Sequence, residues 1–204
     1  MTIFMTIVWI IIGYLIGSIP WALIIGKVFY KKDIRQFGSG NLGGSNAGRV
    51  LGKKAGVAVI VLDALKAFLV MCLTKAVTPE ATAYAGLAVC IGHCFPVFAQ
   101  FKGGKAVACS YGYLLALGLF VTGDAVFSFV YPVLMFFLVL GLTRMVSLSS
   151  MVSLVFETVI GFLTFPEKKY AVMVLLLTGF VIIRHIPNIL RIIKGKESKV
   201  SWIS

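Results

Sequence analysis

No charged side chain falls between Ile3 and Ile25. An apolar run of that length crosses a bilayer, because about 20 residues at a 1.5 Å rise match a hydrocarbon core roughly 30 Å thick. Comparable runs recur at roughly 55–75, 80–100, 106–121, 125–142, 148–165 and 169–193; the fourth and sixth of the seven are short or interrupted. Lipid offers no partner to backbone N–H and C=O groups, so such runs fold as helices. The expected fold is all-α: a polytopic membrane helical bundle of seven transmembrane helices, making one membrane-embedded domain over residues 1–204. The chain is 60% hydrophobic and 13% charged, against about 45–50% and about 25% in soluble domains, an excess no soluble core absorbs. The first run lacks a basic leader and outlasts a signal-peptide core, so it reads as a retained helix. Gly13 and Gly17 in it form a small-residue pair suited to close helix contact.

The net charge of +12 is distributed unevenly. Seven basic residues fall between Lys27 and Lys54 and five more between Arg184 and Lys199. With the N-terminus outside and the C-terminus cytoplasmic, segments 26–54, 101–105, 143–147 and the tail share the cytoplasmic side. They hold most of the Lys and Arg, as the positive-inside rule requires. The charge therefore reads as topology, not as a nucleic-acid surface.

The polar motifs fall on that same side. Gly38-Ser39-Gly40-Asn41-Leu42-Gly43-Gly44-Ser45-Asn46-Ala47-Gly48-Arg49-Val50-Leu51-Gly52 sets six glycines, two serines, two asparagines and an arginine in an otherwise oily chain. Glycines let backbone donors converge on an anion, and Arg49 offers a planar fork for phosphate or carboxylate. Gly38, Gly40 and Gly43 match Gly-x-Gly-x-x-Gly, with Asp63 twenty residues on. However, a membrane helix precedes them instead of a strand, which excludes a dinucleotide site. Lys102-Gly103-Gly104-Lys105 opens a helix with paired glycines and two ammonium groups, an arrangement suited to phosphate at a positive dipole end. Arg144-Met145-Val146-Ser147-Leu148 follows, and then His185-Ile186-Pro187-Asn188 with Gly195 and Glu197. Four loops on one face are expected to make one site.

Within the spans, Asp63 and Lys66 stand three apart and are expected to pair, since a lone charge costs about 2.5–3.5 kcal/mol at mid-bilayer. Glu157 has no partner nearby in the chain. Of the two histidines, His93 and His185, the second is the better ligand candidate, with Asn188 a helical turn away. Cys72, Cys90, Cys94 and Cys109 read as small apolar residues, and a zinc site on Cys90, His93 and Cys94 lacks further ligands. No nucleophile–base pair is visible, and no His-x-x-x-x-Asp occurs.

The loop Gly38–Gly52, the run Gly92–Lys105, the segment Arg144–Leu148, the His185–Glu197 tail and the Gly17-Ser18-Ile19-Pro20 turn together resemble the bacterial acyl-phosphate:glycerol-3-phosphate acyltransferase family. The similarity extends over nearly the whole chain. It implies a multi-pass enzyme of the bacterial plasma membrane with its active site at the cytoplasmic face. The implied reaction moves a fatty acyl group from acyl phosphate to the sn-1 hydroxyl of glycerol 3-phosphate, giving lysophosphatidic acid and phosphate. The resemblance implies no metal and no cofactor, and functional coupling to the enzyme that makes acyl phosphate. By position, Ser39 and Arg49 match the family's essential serine and arginine, Gly103, Gly104 and Lys105 its phosphate loop, Ser147 its third motif, and His185, Asn188 and Glu197 its tail. The expected catalytic set is Ser39, Arg49, Lys105 and His185. Gly38, Gly40, Asn41, Asn46, Lys102, Gly103, Gly104, Ser147, Asn188 and Glu197 are expected to bind substrate.

Several positions depart from the family pattern. Gly44-Ser45 stands where Ala-Thr is usual, Ala67 and Ala106 where glycine is, Cys109 where threonine is, and Ile186-Pro187 where charged residues are. A methyl at 106 is expected to crowd the phosphate loop, and Pro187 to kink the last helix. A small transporter or channel for an organic phosphate would use the same basic loops. It would also need a polar pathway through the spans, where only Asp63, Lys66 and Glu157 lie. A purely structural membrane protein is the third reading.

Overall fold

The computed structural model describes residues 2–200, which form ten α-helices joined by short 3-10 and π turns, with no strand among them. The chain divides into two compact units, the first ending at Ala116 and the second beginning at Leu117.

The first unit is built on α1 (Thr2–Gly17), α2 (Trp21–Tyr30), α3 (Gly44–Leu51), α4 (Lys53–Val77), α5 (Thr82–Cys94) and the start of α6 (Val107–Leu117). Pro20 has no N–H, so the first span breaks at Ser18–Pro20 and restarts as α2. Helix α1 lies against α5 with Gly13 on the backbone of Ala85 and Gly17 on that of Val89, the close contact expected of this pair. Under the glycine-rich loop, an apolar cluster joins Leu23 and Ile25 of α2, Ile34, Leu42, Ala47 and Leu51 of the loop and α3, Val59 of α4, and Ala99.

The second unit contains α7 (Tyr131–Thr143), α8 (Val146–Thr164), α9 (Lys168–Arg184) and α10 (Ile186–Ile193). Helix α8 packs between α7 and α9, and the hydroxyls of Thr158 and Thr178 meet at 2.9 Å. The outward faces of both units carry large apolar side chains such as Ile3, Leu142 and Leu163, as lipid requires.

Five segments are long and apolar enough to cross a membrane: Thr2–Tyr30, Lys53–Val77, Pro79–Ala99, Val126–Thr143 and Val146–Thr164. Lys168–Arg184 and Ile186–Ile193 supply a sixth if their 59° bend is counted within one span. That bend is where Pro187 was expected to kink the chain. The fourth expected run appears as Val107–Thr122, which at 1.5 Å per residue reaches only about 24 Å. Length alone thus supports five or six spans of the expected seven.

Candidate functional site

The expected site residues form two sets, one in each unit. In the first, Lys31 closes α2 in the left-handed region (φ 52°). Asp33 then caps the turn Ile34–Gln36, accepting from the Arg35 amide at 3.1 Å and from its guanidinium at 2.6 and 2.9 Å. These bonds hold the Asp33 carboxyl well below its usual range, and the same pairing raises Arg35. Arg35 is thereby engaged. Arg49, on the last turn of α3, is exposed and meets no carboxylate among the described residues.

Asn46 braces the loop from beneath. Its buried side chain accepts from the Ser39 amide at 2.9 Å and donates to the carbonyls of Phe37 (3.2 Å) and Ile34 (3.4 Å). Gly38 turns with φ 59°, and a Cβ there would run into the Asn46 oxygen. Asn46, expected to bind substrate, is therefore occupied with shaping the loop. Gly38, Ser39 and Arg49 lie on its exposed side, with Gly40 and Asn41 half-buried.

The Lys102–Lys105 run doubles back on the end of α5. Gln100 and Phe101 both take positive φ, and the Gly103 and Gly104 amides donate to the carbonyls of Cys94 (3.2 Å) and His93 (3.0 Å). The glycine amides were expected to face a phosphate, but they point into the protein. Glycine is required here by close approach: a Cβ at 103 would meet the His93 and Cys94 carbonyls and the Pro96 ring, and one at 104 the His93 imidazole. Lys102 and Lys105 flank these glycines, and α6 begins two residues after Lys105. Ala106 is fully buried at φ 58°, so its methyl occupies a conformation that favours glycine.

Below this loop lies a buried charged cluster. Lys66 Nζ is 2.9 Å from Asp63 Oδ1, as the spacing led one to expect. It is also 2.9 Å from the Gly17 carbonyl, 3.3 Å from that of Ile19 and 2.9 Å from His93 Nδ1. Asp63 Oδ1 lies 3.3 Å from the same imidazole nitrogen. Asp63, His93 and Cys109 bring their ligand atoms within 4.8 Å of one another, a donor set for a soft cation. The Lys66 ammonium already places a positive charge among them. Cys90 and Cys94, considered with His93 from sequence, are buried and lie outside that group.

In the second unit the organising group is Glu197, whose side chain is 6% exposed. Its Oε1 accepts from Ser147 Oγ (2.7 Å) and Asn188 Nδ2 (2.6 Å), and its Oε2 from Arg191 Nε (2.8 Å). Burial opposes the charge, but the bonds from Ser147, Asn188 and Arg191 outweigh it and hold the carboxyl below its ordinary value. The tail is also tied by the Val200 amide to the Arg144 carbonyl, 2.8 Å. His185 is buried at the α9–α10 bend, and its Nδ1 donates to the Val181 carbonyl at 2.8 Å. A carbonyl only accepts, so Nδ1 carries the proton of that bond. The Ser147–Glu197 contact joins residues fifty apart, with no local signal to announce it. A carboxylate with three donors and a lowered pKa is a weak base, so it orients Ser147 more than it activates it.

Glu157 is fully buried in α8, and neither of its carboxyl oxygens has a hydrogen-bond partner among the described residues.

The family model described as glycerol-3-phosphate acyltransferase matches residues 7–195. Among curated relatives, a glycerol-3-phosphate acyltransferase of Bacillus velezensis is 50% identical over 95% of this chain and 96% of its own. One of Bacillus subtilis is 48% identical over 95% and 97%. The crystal structure of PlsY, an integral membrane glycerol 3-phosphate acyltransferase, in its glycerol 3-phosphate form superposes with a TM-score of 0.87. It is 32% identical and covers 96% of each chain. The lysophosphatidic acid form gives 0.84 at 31% identity, covering 96% of this chain and 95% of that one.

Proposed function

This chain belongs to the glycerol-3-phosphate acyltransferase family, and from that premise we propose how its residues carry the reaction. It is a multi-pass bacterial membrane enzyme that acylates glycerol 3-phosphate. The donor is acyl phosphate, the topology is seven helices with the N-terminus outside, and the polar loops face the cytoplasm. The whole chain acts as one acyltransferase domain.

The observation that carries the reading is the shared apolar cluster beneath the first unit's two cationic loops. Leu42, Ala47 and Leu51 seat the loop that presents Arg49, and Ala99 seats the turn that leads into Lys102 and Lys105. Two phosphorylated substrates need two fixed anion pockets, and these loops supply three cations on rigid footings. Arg49 and Lys105 hold the phosphate of glycerol 3-phosphate, while Ser39 and the positive-φ turn at Gly38–Gly40 orient the acyl phosphate carbonyl and its developing oxyanion. An apolar groove of about 400 Å³, lined by Ile19, Leu23, Ile24, Val28 and Phe98 with Lys27 among them, suits an acyl chain. In the second unit, Glu197 holds Ser147 and Asn188, and Asn188 stands one turn beyond His185. By position that set matches the family's third motif and tail.

The glycerol hydroxyl oxygen attacks the acyl carbonyl, and the carbonyl carbon–phosphate oxygen bond breaks. A phosphate oxygen of the donor takes the hydroxyl proton as inorganic phosphate leaves. The leaving group is already activated, so no acyl-enzyme is needed and positioning supplies most of the rate.

The test is lysophosphatidic acid formation by purified protein given palmitoyl phosphate and glycerol 3-phosphate, with palmitoyl-CoA as alternative donor and Lys105→Ala as control. Product from acyl phosphate alone, lost in the variant, is expected. Turnover from palmitoyl-CoA would overturn the donor, and an acylated Ser39 or Ser147 trapped by mass spectrometry would overturn direct transfer. Uptake of glycerol 3-phosphate into proteoliposomes without chemical change would instead support transport.

A further inference from the structure

We propose that Lys66, held by Asp63, is a positioning residue for glycerol 3-phosphate. It acts through His93 on the Gly103–Gly104–Lys105 loop and, through two carbonyls, on the break in the first span. The inference rests on the reading of that loop as a phosphate site.

A lysine present only to balance Asp63 would need no other contact. Lys66 makes three more, none of them on its own helix: the Gly17 carbonyl at 2.9 Å, the Ile19 carbonyl at 3.3 Å and His93 Nδ1 at 2.9 Å. The two carbonyls belong to the interruption around Pro20, where helical partners are missing and lipid supplies none. An ammonium with three donors satisfies both and has one left, shared between the imidazole and the Asp63 carboxylate, each 2.9 Å away.

That third contact reaches the loop. Ammonium only donates, so Nδ1 accepts and the ring proton sits on Nε2, the atom a Cβ on Gly104 would meet first. The His93 carbonyl meanwhile accepts the Gly104 amide at 3.0 Å. His93 thus holds the loop through its backbone carbonyl and packs its ring against Gly104, and Lys66 orients that ring. Without the ammonium, Nδ1 becomes the donor to Asp63 Oδ1, 3.3 Å away, and the Nε2 edge beneath Gly104 changes from donor to acceptor. The seat of Lys105 changes with it. Asp63 keeps Lys66 charged and aimed. Cys109 completes a donor triad here, but the Lys66 charge stands where a metal ion would.

The experiment compares Lys66→Gln, Lys66→Arg and the neutral pair Asp63→Asn/Lys66→Gln with wild type and Lys105→Ala, measuring KM for each substrate, kcat and thermal midpoint in detergent. The neutral pair is expected to raise KM for glycerol 3-phosphate at least tenfold and leave KM for acyl phosphate within twofold. Lys66→Arg, which restores the charge, is expected to recover part of that loss. A folded neutral pair whose KM for glycerol 3-phosphate stays within twofold of wild type overturns the inference, as does an equal rise for both substrates. A neutral pair that does not fold assigns the cluster to folding alone and overturns it too. If Lys105→Ala itself leaves that KM unchanged, the phosphate-loop reading fails; if only the Lys66 variants do, the loop stands and Lys66 is not its positioner.

Discussion

Glu197→Gln removes one charge while keeping the shape of the side chain, and its cost follows from three bonds. The carboxylate accepts from Ser147 and Asn188 at Oε1 and from Arg191 at Oε2. An amide has a single acceptor. With its oxygen in the Oε1 position it keeps Ser147 and Asn188, but both bonds fall from charge-assisted to neutral, about 1 kcal/mol each. Its NH2 then opposes the Arg191 Nε–H, and that bond is lost. Arg191 is 43% exposed, so water compensates and the loss is nearer about 0.5–1 kcal/mol. With the oxygen in the Oε2 position, Arg191 survives and the Asn188 donor faces another donor, which is no cheaper. The sum is about 2–3 kcal/mol, or roughly 5–10 °C in the thermal midpoint for a chain of this size. The pH dependence has a definite sign. Glu197 is depressed from its ordinary value of 4.5, so its contribution is complete above about pH 4.5 and is lost as pH falls through the lower folded value. Thermal unfolding of the detergent-purified proteins from pH 7 downward should show the gap between wild type and Glu197→Gln narrowing below pH 4.5. A gap under about 2 °C at neutral pH, or one that persists unchanged in acid, would refute the assignment of Glu197 as the clamp of the tail.

Gly103→Ala puts a methyl against the carbonyls of His93 and Cys94, which cannot rotate away. A loss of about 2–3 kcal/mol from overpacking and a broken Gly103–Cys94 bond is expected, with a raised KM for glycerol 3-phosphate in steady-state assays. Ala106→Gly relieves about 1–2 kcal/mol of left-handed strain but gives up a buried methyl and adds chain entropy. Its thermal midpoint should stay close to wild type, whereas Ala106→Val, β-branched at φ 58° in a filled site, should unfold well below it. Glu157→Met removes two buried oxygens that lack partners among the described residues. It should raise the thermal midpoint with turnover unchanged, and a fall in activity would give Glu157 a function in the bundle.

The amino-acid sequence by itself determined the class of fold, because insertion in lipid depends on local apolar length and backbone satisfaction, both readable in a window of about twenty residues. It also located the Arg49, Lys105, Ser147 and His185 segments, the Asp63–Lys66 pair and the proline kink at 187, each a short-range pattern. Tertiary structure alone decided which helices touch, and so what each polar group meets. Lys66 reaches His93 and Gly17 only because α4, α5 and α1 pack together. Glu197 meets Ser147 only because the tail returns to the start of α8. The glycine amides at 103 and 104 turn inward, and Asn46 becomes a brace, because carbonyls in an oily interior must be satisfied by whichever donor the packing brings near. Spacing along the chain carries no record of that.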